Sequence, residues 1–342
     1  MKKLFGFTGV AAVLASTAIL AVSCGDKPQP DPVVITYDIY TAGNEYDESS
    51  STTPVIYLGT DEQYRLEKGY TLTGLALSGT SLYACGYDAT AVKPVIWKDG
   101  KMSNIAVLGQ GKFYDMVAGG NSVYCCGYIE DEGVKYGVIY KDGDEFYRYD
   151  KASEFKVMDL GPTGDIYLIK TFGTDIELVR VNATTAGVTE RRLISSDVNF
   201  VPTDIYVGNQ DICVSLNGHV GGQNVAYCWL SRESSPFAMC DTESTACSAA
   251  IYGGSFFIGG SIKADGQVHF ATQWIGMYAQ NFTYGCNPGG SYVKLLKPEE
   301  FGLFEAVQSP GQVQVCCDGN IIQVFECNES FDVTAWDIIR VQ

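Results

Sequence analysis

The chain has 342 residues, of which 40 are acidic and 23 are basic, and its formal net charge is −17 at pH 7. A chain this acidic repels phosphate backbones, which argues against nucleic acid as a partner. It contains only two histidines, His219 and His269, and no CxxC spacing, so a zinc centre is not expected.

The N-terminal 23 residues have the pattern of a secretory signal peptide. Lys2 and Lys3 precede an apolar stretch, residues 10–22, that is too short to span a membrane. The stretch ends in Ala-Val-Ser-Cys at Cys24, which resembles a bacterial lipobox, although the leucine stands one place early, at Leu20. In a lipobox the cysteine is diacylated and becomes the mature N-terminus; an ordinary signal peptide cut nearby is the alternative.

The next residues, 24–32, include the sequence DKPQPDP and predict an extended tether, because proline and charge cannot bury apolar area. Residues 33–342 then form one domain. We expect a lipid-anchored protein of the cell envelope, in the outer membrane and facing either the periplasm or the cell surface, because Gly25 after the cysteine does not suggest retention in the inner membrane.

A repeat of about 43 residues runs through the domain and predicts its architecture. Six copies share an apolar or aromatic pair that opens a short strand, and a seventh strand near Val315 follows after a longer gap. The six pairs are Ile39-Tyr40, Leu82-Tyr83, Val123-Tyr124, Ile166-Tyr167, Ile212-Cys213 and Phe256-Phe257. The pattern predicts an all-β, seven-bladed β-propeller, with six blades as the alternative if the weak seventh repeat merges with the first.

Each repeat predicts four strands. The second ends in glycine, as at Gly86 and Gly127, which we expect to let neighbouring sheets approach closely. The third strand carries a large aromatic side chain that we expect to pack between blades. Asp99-Gly100 and Asp142-Gly143 then predict tight type I′ turns into the fourth strand. The aromatic residues are Tyr57, Trp97, Tyr140, Trp229 and Trp274.

An acidic residue followed by an apolar one recurs about nine residues before the second strand. The set is Asp115, Asp159, Asp204, Glu305 and Asp337. Because the last copy stands at the C-terminal end, we expect the final strand to complete the blade that the N-terminus begins, which closes the ring. Carboxylates around one channel repel each other, so either backbone N–H groups or a bound cation such as calcium must offset the charge, unless the carboxylates serve catalysis.

The sixth repeat contains a long interval that predicts a surface loop with an insertion between Trp274 and Glu305. Tyr278, Phe282 and Tyr284 on this loop could stack on sugar rings. The alternative is a loop folded over its blade with the aromatic side chains buried.

Apart from Cys24, many of the cysteines fall at one repeat position, which favours a role as small apolar residues between blades. Cys240 and Cys247 flank a polar segment and are the best candidates for a disulfide.

The segment from Leu82 to Tyr87, followed by residues 94–101 (PVIWKDGK), resembles a blade of the uncharacterised β-propeller lipoproteins of gut Bacteroidetes. Residues 255–260 (SFFIGG) with Trp274 resemble a kelch blade, but the double glycine is not repeated, and the WD signature is absent. The family resemblance covers nearly all of the mature chain. It implies a propeller fold and an envelope address, and it brings no catalytic residues.

The sequence shows no GxSxG elbow, P-loop, HExxH motif or EF-hand loop. It therefore favours a non-catalytic, envelope-anchored module that binds a glycan, a peptide or a protein partner. The alternative is a carbohydrate-active or other hydrolytic propeller enzyme that uses carboxylates at the channel mouth.

Overall fold

A computed structural model describes residues 36–340 except 104, 106–108, 197–199, 265–267, 282–289 and 301. This part of the chain forms 28 strands in seven four-stranded antiparallel sheets. None of the described segments is a helix that could cross a membrane. Cys24 and the tether lie outside the described residues.

Each sheet is one blade, whose four strands run in order from the innermost to the outermost. Blade 1 consists of β28 (Asp332–Arg340), β1 (Tyr37–Tyr46), β2 (Thr52–Leu58) and β3 (Asp61–Arg65). Blade 2 consists of β4 (Tyr70–Ser78), β5 (Ser81–Asp88), β6 (Lys93–Lys98) and β7 (Lys101–Ser103). Blade 3 consists of β8 (Gln110–Gly119), β9 (Ser122–Asp131), β10 (Val134–Lys141) and β11 (Asp144–Ala152).

The remaining four blades follow in chain order. Blade 4 consists of β12 (Glu154–Leu160), β13 (Ile166–Phe172), β14 (Asp175–Val181) and β15 (Val188–Ser195). Blade 5 consists of β16 (Phe200–Val207), β17 (Ile212–Val220), β18 (Gln223–Leu230) and β19 (Phe237–Ala238). Blade 6 consists of β20 (Ser244–Tyr252), β21 (Ser255–Ala264), β22 (Val268–Ile275) and β23 (Tyr278–Asn281). Blade 7 consists of β24 (Tyr292–Glu299), β25 (Gly302–Ser309), β26 (Gln312–Cys317) and β27 (Asn320–Glu326).

The seven innermost strands contact one another in a closed ring, in which β24 lies beside β28 and β28 beside β4. The chain is therefore a seven-bladed β-propeller, and its C-terminal strand completes the blade that β1 begins. The six-bladed alternative is wrong. The third-strand aromatic residues lie in the cores between blades, as predicted; Trp229, for example, is fully buried against blade 4.

The seventh repeat lies elsewhere than the sequence pattern predicted. The strand at Val315 is β26, the third strand of blade 7, and the second strand is β25. Leu303 therefore takes the place of Leu82 or Val123 in the repeat. The predicted insertion also largely disappears, because 18 positions separate Trp274 from Tyr292 at the start of β24, against 15 from Trp229 to Ser244 at the start of β20.

Every innermost strand contains a β-bulge, where one residue has no partner on the second strand. The seven bulged residues are Thr73, Tyr114, Lys156, Thr203, Cys247, Lys294 and Thr334. The bulge lies near the start of each innermost strand, so all seven mark the same end of the propeller.

The glycines that were predicted to end the second strands lie within those strands and face the bulges. A Cβ atom on Gly86 would lie 1.9 Å from the carbonyl oxygen of Thr71, and one on Gly127 would lie 1.9 Å from that of Lys112. Both carbonyls belong to the innermost strand of the same blade. The glycine is thus required by its own sheet, rather than by the approach of the neighbouring sheet that the sequence suggested.

The Asp-Gly turns between third and fourth strands have the predicted geometry. Asp99 and Gly100 have φ of 49° and 74°, and Asp142 and Gly143 have φ of 53° and 96°. Each aspartate also accepts a hydrogen bond from an amide near the start of its second strand; Asp99 Oδ1 lies 2.9 Å from the amide nitrogen of Leu82. The turn therefore ties three strands of the blade together.

We predict that deleting residues 336–342 destabilises the whole ring. The deletion removes the pairing of β28 with β1 and the buried side chains of Trp336 and Ile338. The melting temperature should fall by on the order of 10 °C or more, or cooperative unfolding should be lost. Differential scanning calorimetry measures this, with removal of residues 341–342 alone as the control. A deletion variant that melts like the full chain would refute closure by β28.

Candidate binding site in the central channel

The innermost strands of all seven blades surround a central channel with a cavity of about 1040 Å³. All seven bulged residues line it and form one ring. We call this end of the channel the bulge end. The ring carries two ammonium groups, three hydroxyl groups, one phenol and one thiol.

Four of the predicted carboxylates line the channel, but they lie at two levels. Asp115 and Asp204 directly follow the bulge, whereas Asp159 and Asp337 come three residues after it. The prediction of a single equivalent ring is therefore wrong. Positions two residues apart on a strand face the same side, so both levels can direct a carboxylate towards the next blade.

Each of the four carboxylates accepts two backbone hydrogen bonds, one from the next residue and one from the adjacent blade. Asp115 Oδ1 lies 2.8 Å from Met116 N, and its Oδ2 lies 2.9 Å from Met158 N. Asp204 repeats this arrangement with Ile205 and Ala249. From the sequence, either backbone N–H groups or a bound cation were expected to offset the repulsion between these carboxylates. These hydrogen bonds are the first of those two ways.

At the second level, the adjacent blade again supplies the second donor. Asp159 accepts from Leu160 N and Val207 N, each at 2.7 Å. Asp337 likewise accepts from the next residue at 2.9 Å and from the amide of Leu77 in blade 2 at 2.7 Å. The last contact joins the C-terminal strand to the next blade, so it also seals the ring.

Burial raises the pKa of Asp115 and of Asp159 to about 7, because the backbone hydrogen bonds offset only part of the desolvation. The pKa of Asp204 rises well above its ordinary value for the same reason. Asp115 and Asp159 are therefore partly protonated near neutral pH.

Glu305 does not lie on an innermost strand. It lies on β25, the second strand of blade 7, and points into the core between blades 6 and 7 with 1% of its surface exposed. The misplaced seventh repeat explains the error, since Phe304-Glu305-Ala306 resembles the acidic pattern of an innermost strand. In blade 7 the second-level position belongs to Lys297, whose ammonium group binds Asp337.

The Glu305 carboxyl group is poorly satisfied. Its Oε1 lies 3.4 Å from Nε2 of Gln273, and its Oε2 has no hydrogen-bond partner among the described residues. Burial raises the pKa of Glu305 to about 7.

We predict that Glu305→Gln increases stability at pH 8 and changes it little at pH 5. The folded protein holds this proton more tightly than the unfolded chain, whose ordinary glutamate releases it near pH 4.5. Stability from this group is therefore present at low pH and is lost as the pH rises towards 7. Thermal melts from pH 5 to 8 should show a flatter profile for the variant.

The control for that experiment is Glu326→Gln, an exposed glutamate on the same blade. It should leave the pH profile of the melting temperature unchanged. Parallel profiles for the parent and Glu305→Gln would contradict the assignment.

A cluster of lysine and tyrosine side chains surrounds Glu154 at the bulge end. Glu154 accepts hydrogen bonds from Lys135 Nζ at 2.7 Å, from Tyr114 Oη at 3.0 Å and from Lys156 Nζ. Lys156 Nζ also lies 4.2 Å from the centre of the Tyr114 ring. Burial alone would raise the pKa of Glu154, but the two lysines outweigh it and lower that pKa.

Lys294 occupies the matching bulge position of blade 7. Its Nζ lies 2.6 Å from Asp332 Oδ1, and its side chain is 20% exposed. Burial would lower the pKa of Lys294, but the nearby Cys247 and Asp332 raise it, so the ammonium form is favoured. Both bulge lysines are therefore cations that border the channel.

The structure describes one of the three aromatic residues predicted on the loop of the sixth repeat. Tyr278 begins β23, the outermost strand of blade 6, and is 83% exposed. It follows the turn between the third and fourth strands of the blade. That turn lies at the end of the propeller opposite the bulge end. Phe282 and Tyr284 lie outside the described residues, so their role in ligand binding stays a prediction.

The described cysteines are free thiols, including Cys240 and Cys247, so no disulfide joins that pair. Cys240 Sγ lies 3.1 Å from Ser244 Oγ, and Cys247 lines the channel. Within the described ranges, no three His, Cys, Asp or Glu side chains form a group that could hold a metal ion. The calcium alternative thus gains no support from the geometry.

The ring of bulged residues was not predicted from the sequence. Its chemistry varies from threonine to lysine to cysteine, so it has no residue motif. A usable signal was the residue directly before Asp115 and Asp204, since Tyr114 and Thr203 are both bulged.

Comparison with known proteins shows similarity in fold alone. The sequence matches no family model and no curated protein. A puromycin-hydrolyzing peptidase of Mycobacterium tuberculosis superposes with a TM-score of 0.53 at 11% identity, over 84% of this chain and 52% of that chain. The present chain thus spans about half the length of that peptidase.

Two further solved structures cover the whole propeller. A protein from Lactobacillus plantarum has a TM-score of 0.52 at 12% identity, over 89% of this chain and 100% of that chain. A protein of unknown function from Bacteroides caccae has a TM-score of 0.46 at 11% identity, over 89% of this chain and 99% of that chain. The propeller part of the sequence resemblance is confirmed by the fold, whereas its lipoprotein and kelch-like parts rest on sequence alone.

Proposed function

We propose that this chain is a non-catalytic, envelope-anchored binding module that holds a polar ligand, a glycan or a peptide, in its central channel. One observation carries the proposal. The four aspartates of the channel wall each have both carboxylate oxygens engaged by backbone N–H groups. They hold blades together, which leaves the bulge ring to contact a ligand.

The channel has the size of a ligand site. Its volume of about 1040 Å³ lies just above the range for small-molecule pockets, about 300–1,000 Å³. Threonine hydroxyls, lysine ammonium groups and apolar strand residues share its wall. This mixture suits a molecule with many hydroxyl or amide groups, such as an oligosaccharide.

The hydrolytic alternative has one observation in its favour. A pKa of about 7 for Asp115 and Asp159 lies in the range that serves proton transfer. A general acid or base must, however, reach the substrate with a free oxygen. Both oxygens of each aspartate already accept hydrogen bonds, so the binding function fits the geometry better.

We predict that Thr203→Trp abolishes ligand capture without unfolding the protein. Thr203 belongs to the bulge ring, so an indole there obstructs the channel. Mature protein and variant are compared on a glycan array and a peptide library, with thermal melts to verify folding. Leu193→Trp is the matched control, because Leu193 is 54% exposed on an outermost strand.

Binding that is lost in Thr203→Trp and kept in Leu193→Trp supports the channel as the site. Ligands captured equally by both variants would place the site elsewhere. Turnover of a captured glycan or peptide by the parent protein would favour the hydrolytic alternative.

We propose further that the lipid on Cys24 anchors the module to the outer membrane. The first strand starts at Tyr37, which pairs with Arg340 at the end of blade 1 away from its bulge. A tether attached there joins the domain at the end opposite the bulge end, so it does not obstruct the entry of a ligand at the bulge end.

The anchor is tested by Cys24→Ala. The variant should lose labelling by a fatty-acid analogue and should leave the membrane fraction, because no acyl chain then holds it. Cys327→Ala, a cysteine on the folded domain, serves as the control and should remain labelled. Retention of Cys24→Ala in membranes would remove the basis for the anchor.

A further inference from the structure

The two lysines of the bulge ring stand on nearly opposite sides of the channel. Lys156 belongs to blade 4 and Lys294 to blade 7, three blades apart in a ring of seven. Both line the cavity, whereas their carboxylate partners, Glu154 and Asp332, do not. The wall therefore presents two ion-paired ammonium groups to the channel, and their carboxylate partners lie outside its lining.

The acidic groups of the wall already have partners of their own. Asp115, Asp159 and Asp204 are tied to backbone N–H groups, and burial raises the pKa of each. Asp337 is matched by Lys297 at the same level. Lys156 and Lys294 are therefore the cationic groups that the bulge ring itself presents to the channel, in a chain with a net charge of −17.

The lysines retain hydrogen-bonding capacity for a ligand. An ammonium group has three N–H donors, and the ion pairs described above engage one oxygen partner each. The remaining donors of Lys156 and Lys294 can bind an oxyanion. Ion-paired lysines are also held in place, so a ligand meets them already oriented.

The threonines of the same ring offer acceptors. Thr73 Oγ1 donates to the carbonyl oxygen of Phe113 at 3.0 Å, and Thr334 Oγ1 donates to that of Leu72 at 3.2 Å. With their protons engaged, these hydroxyl oxygens can accept hydrogen bonds from ligand hydroxyl groups. The ring therefore combines oxyanion donors on two sides with acceptors for hydroxyl groups between them.

We propose that the channel binds an acidic oligosaccharide, with carboxylate groups on at least two sugar units that engage Lys156 and Lys294. This inference rests on the proposed function, since it names the ligand class of the same channel. An acidic ligand is otherwise repelled by the outer surface of this chain. Selectivity then comes from the channel wall.

The test uses isothermal titration calorimetry with a galacturonic acid trimer and the neutral galactose trimer of the same length. The acidic trimer should bind, and the neutral one should bind at least about tenfold more weakly, because a charge-assisted hydrogen bond contributes about that factor. Raising the salt from low to high concentration should weaken the acidic trimer alone.

Lys156→Gln and Lys294→Gln should each weaken binding of the acidic trimer about tenfold. Lys156→Arg keeps the charge and should retain most of the affinity. Lys101→Gln, an exposed lysine on an outermost strand, is the control and should bind as the parent does. Thermal melts identify any variant that fails to fold. If Lys294→Gln fails to fold, the comparison of Lys156→Gln with Lys156→Arg still tests whether a bulge lysine binds the acidic trimer.

Three results would overturn the proposal. These are no binding of the acidic trimer, equal binding of both trimers, and unchanged binding by the two glutamine variants. The proposed function, that the channel is a binding site, has its own separate test. If neutral glycans or peptides bind and Thr203→Trp blocks them, the channel is the site but its ligand is not acidic; if the block has no effect, the channel is not the site.

Discussion

The β-bulge in each innermost strand is the constraint on which the rest of the structure depends. One unpaired residue per blade locally increases the twist of the strand and turns that side chain towards the axis. It also brings a carbonyl group against the second strand, which is why Gly86 and Gly127 have no room for a Cβ. Bulge and channel lining are thus one feature repeated in all seven blades, and a glycine accompanies it in four of them, at Gly43, Gly86, Gly127 and Gly260.

Polar contacts between blades add directional specificity to the apolar cores. Aspartates bridge neighbouring innermost strands, and side-chain amides do the same elsewhere: Asn44 makes two hydrogen bonds to Leu72, and Asn217 makes two to Ala246. Burying a carboxylate costs several kcal/mol unless it is hydrogen-bonded, so these groups are stable only when the neighbouring blade is in register. They therefore fix the position of each blade relative to the next one.

Much of the fold could be predicted from the sequence because the repeat is visible in apolar pairs, Asp-Gly turns and third-strand aromatics. Those signals depend on local geometry that every blade shares. The seventh repeat was misplaced because one acidic triplet, at Glu305, imitates the pattern of an innermost strand. The bulge ring was missed for a different reason: a bulge is set by strand pairing, so its residues need no common chemistry.

The candidate site was predicted only in part. The predicted aspartates do face the channel: Asp115, Asp159, Asp204 and Asp337. Their carboxylate oxygens, however, accept hydrogen bonds from backbone N–H groups, and no sequence pattern reveals this. Lys156 and Lys294 carry no signal in the sequence because lysine is common on strands. Only the ring geometry shows that the two stand opposite each other.

The pairing of β28 with β1 has a kinetic consequence. These strands lie at opposite ends of the domain, so the chain between them must be complete before blade 1 can form. Contacts this distant in sequence form late, because closing so long a loop is entropically costly. During synthesis the nascent chain therefore cannot close the ring until its last strand emerges. The order of the strands thus makes blade 1, the first blade that the chain enters, the last one that it can complete.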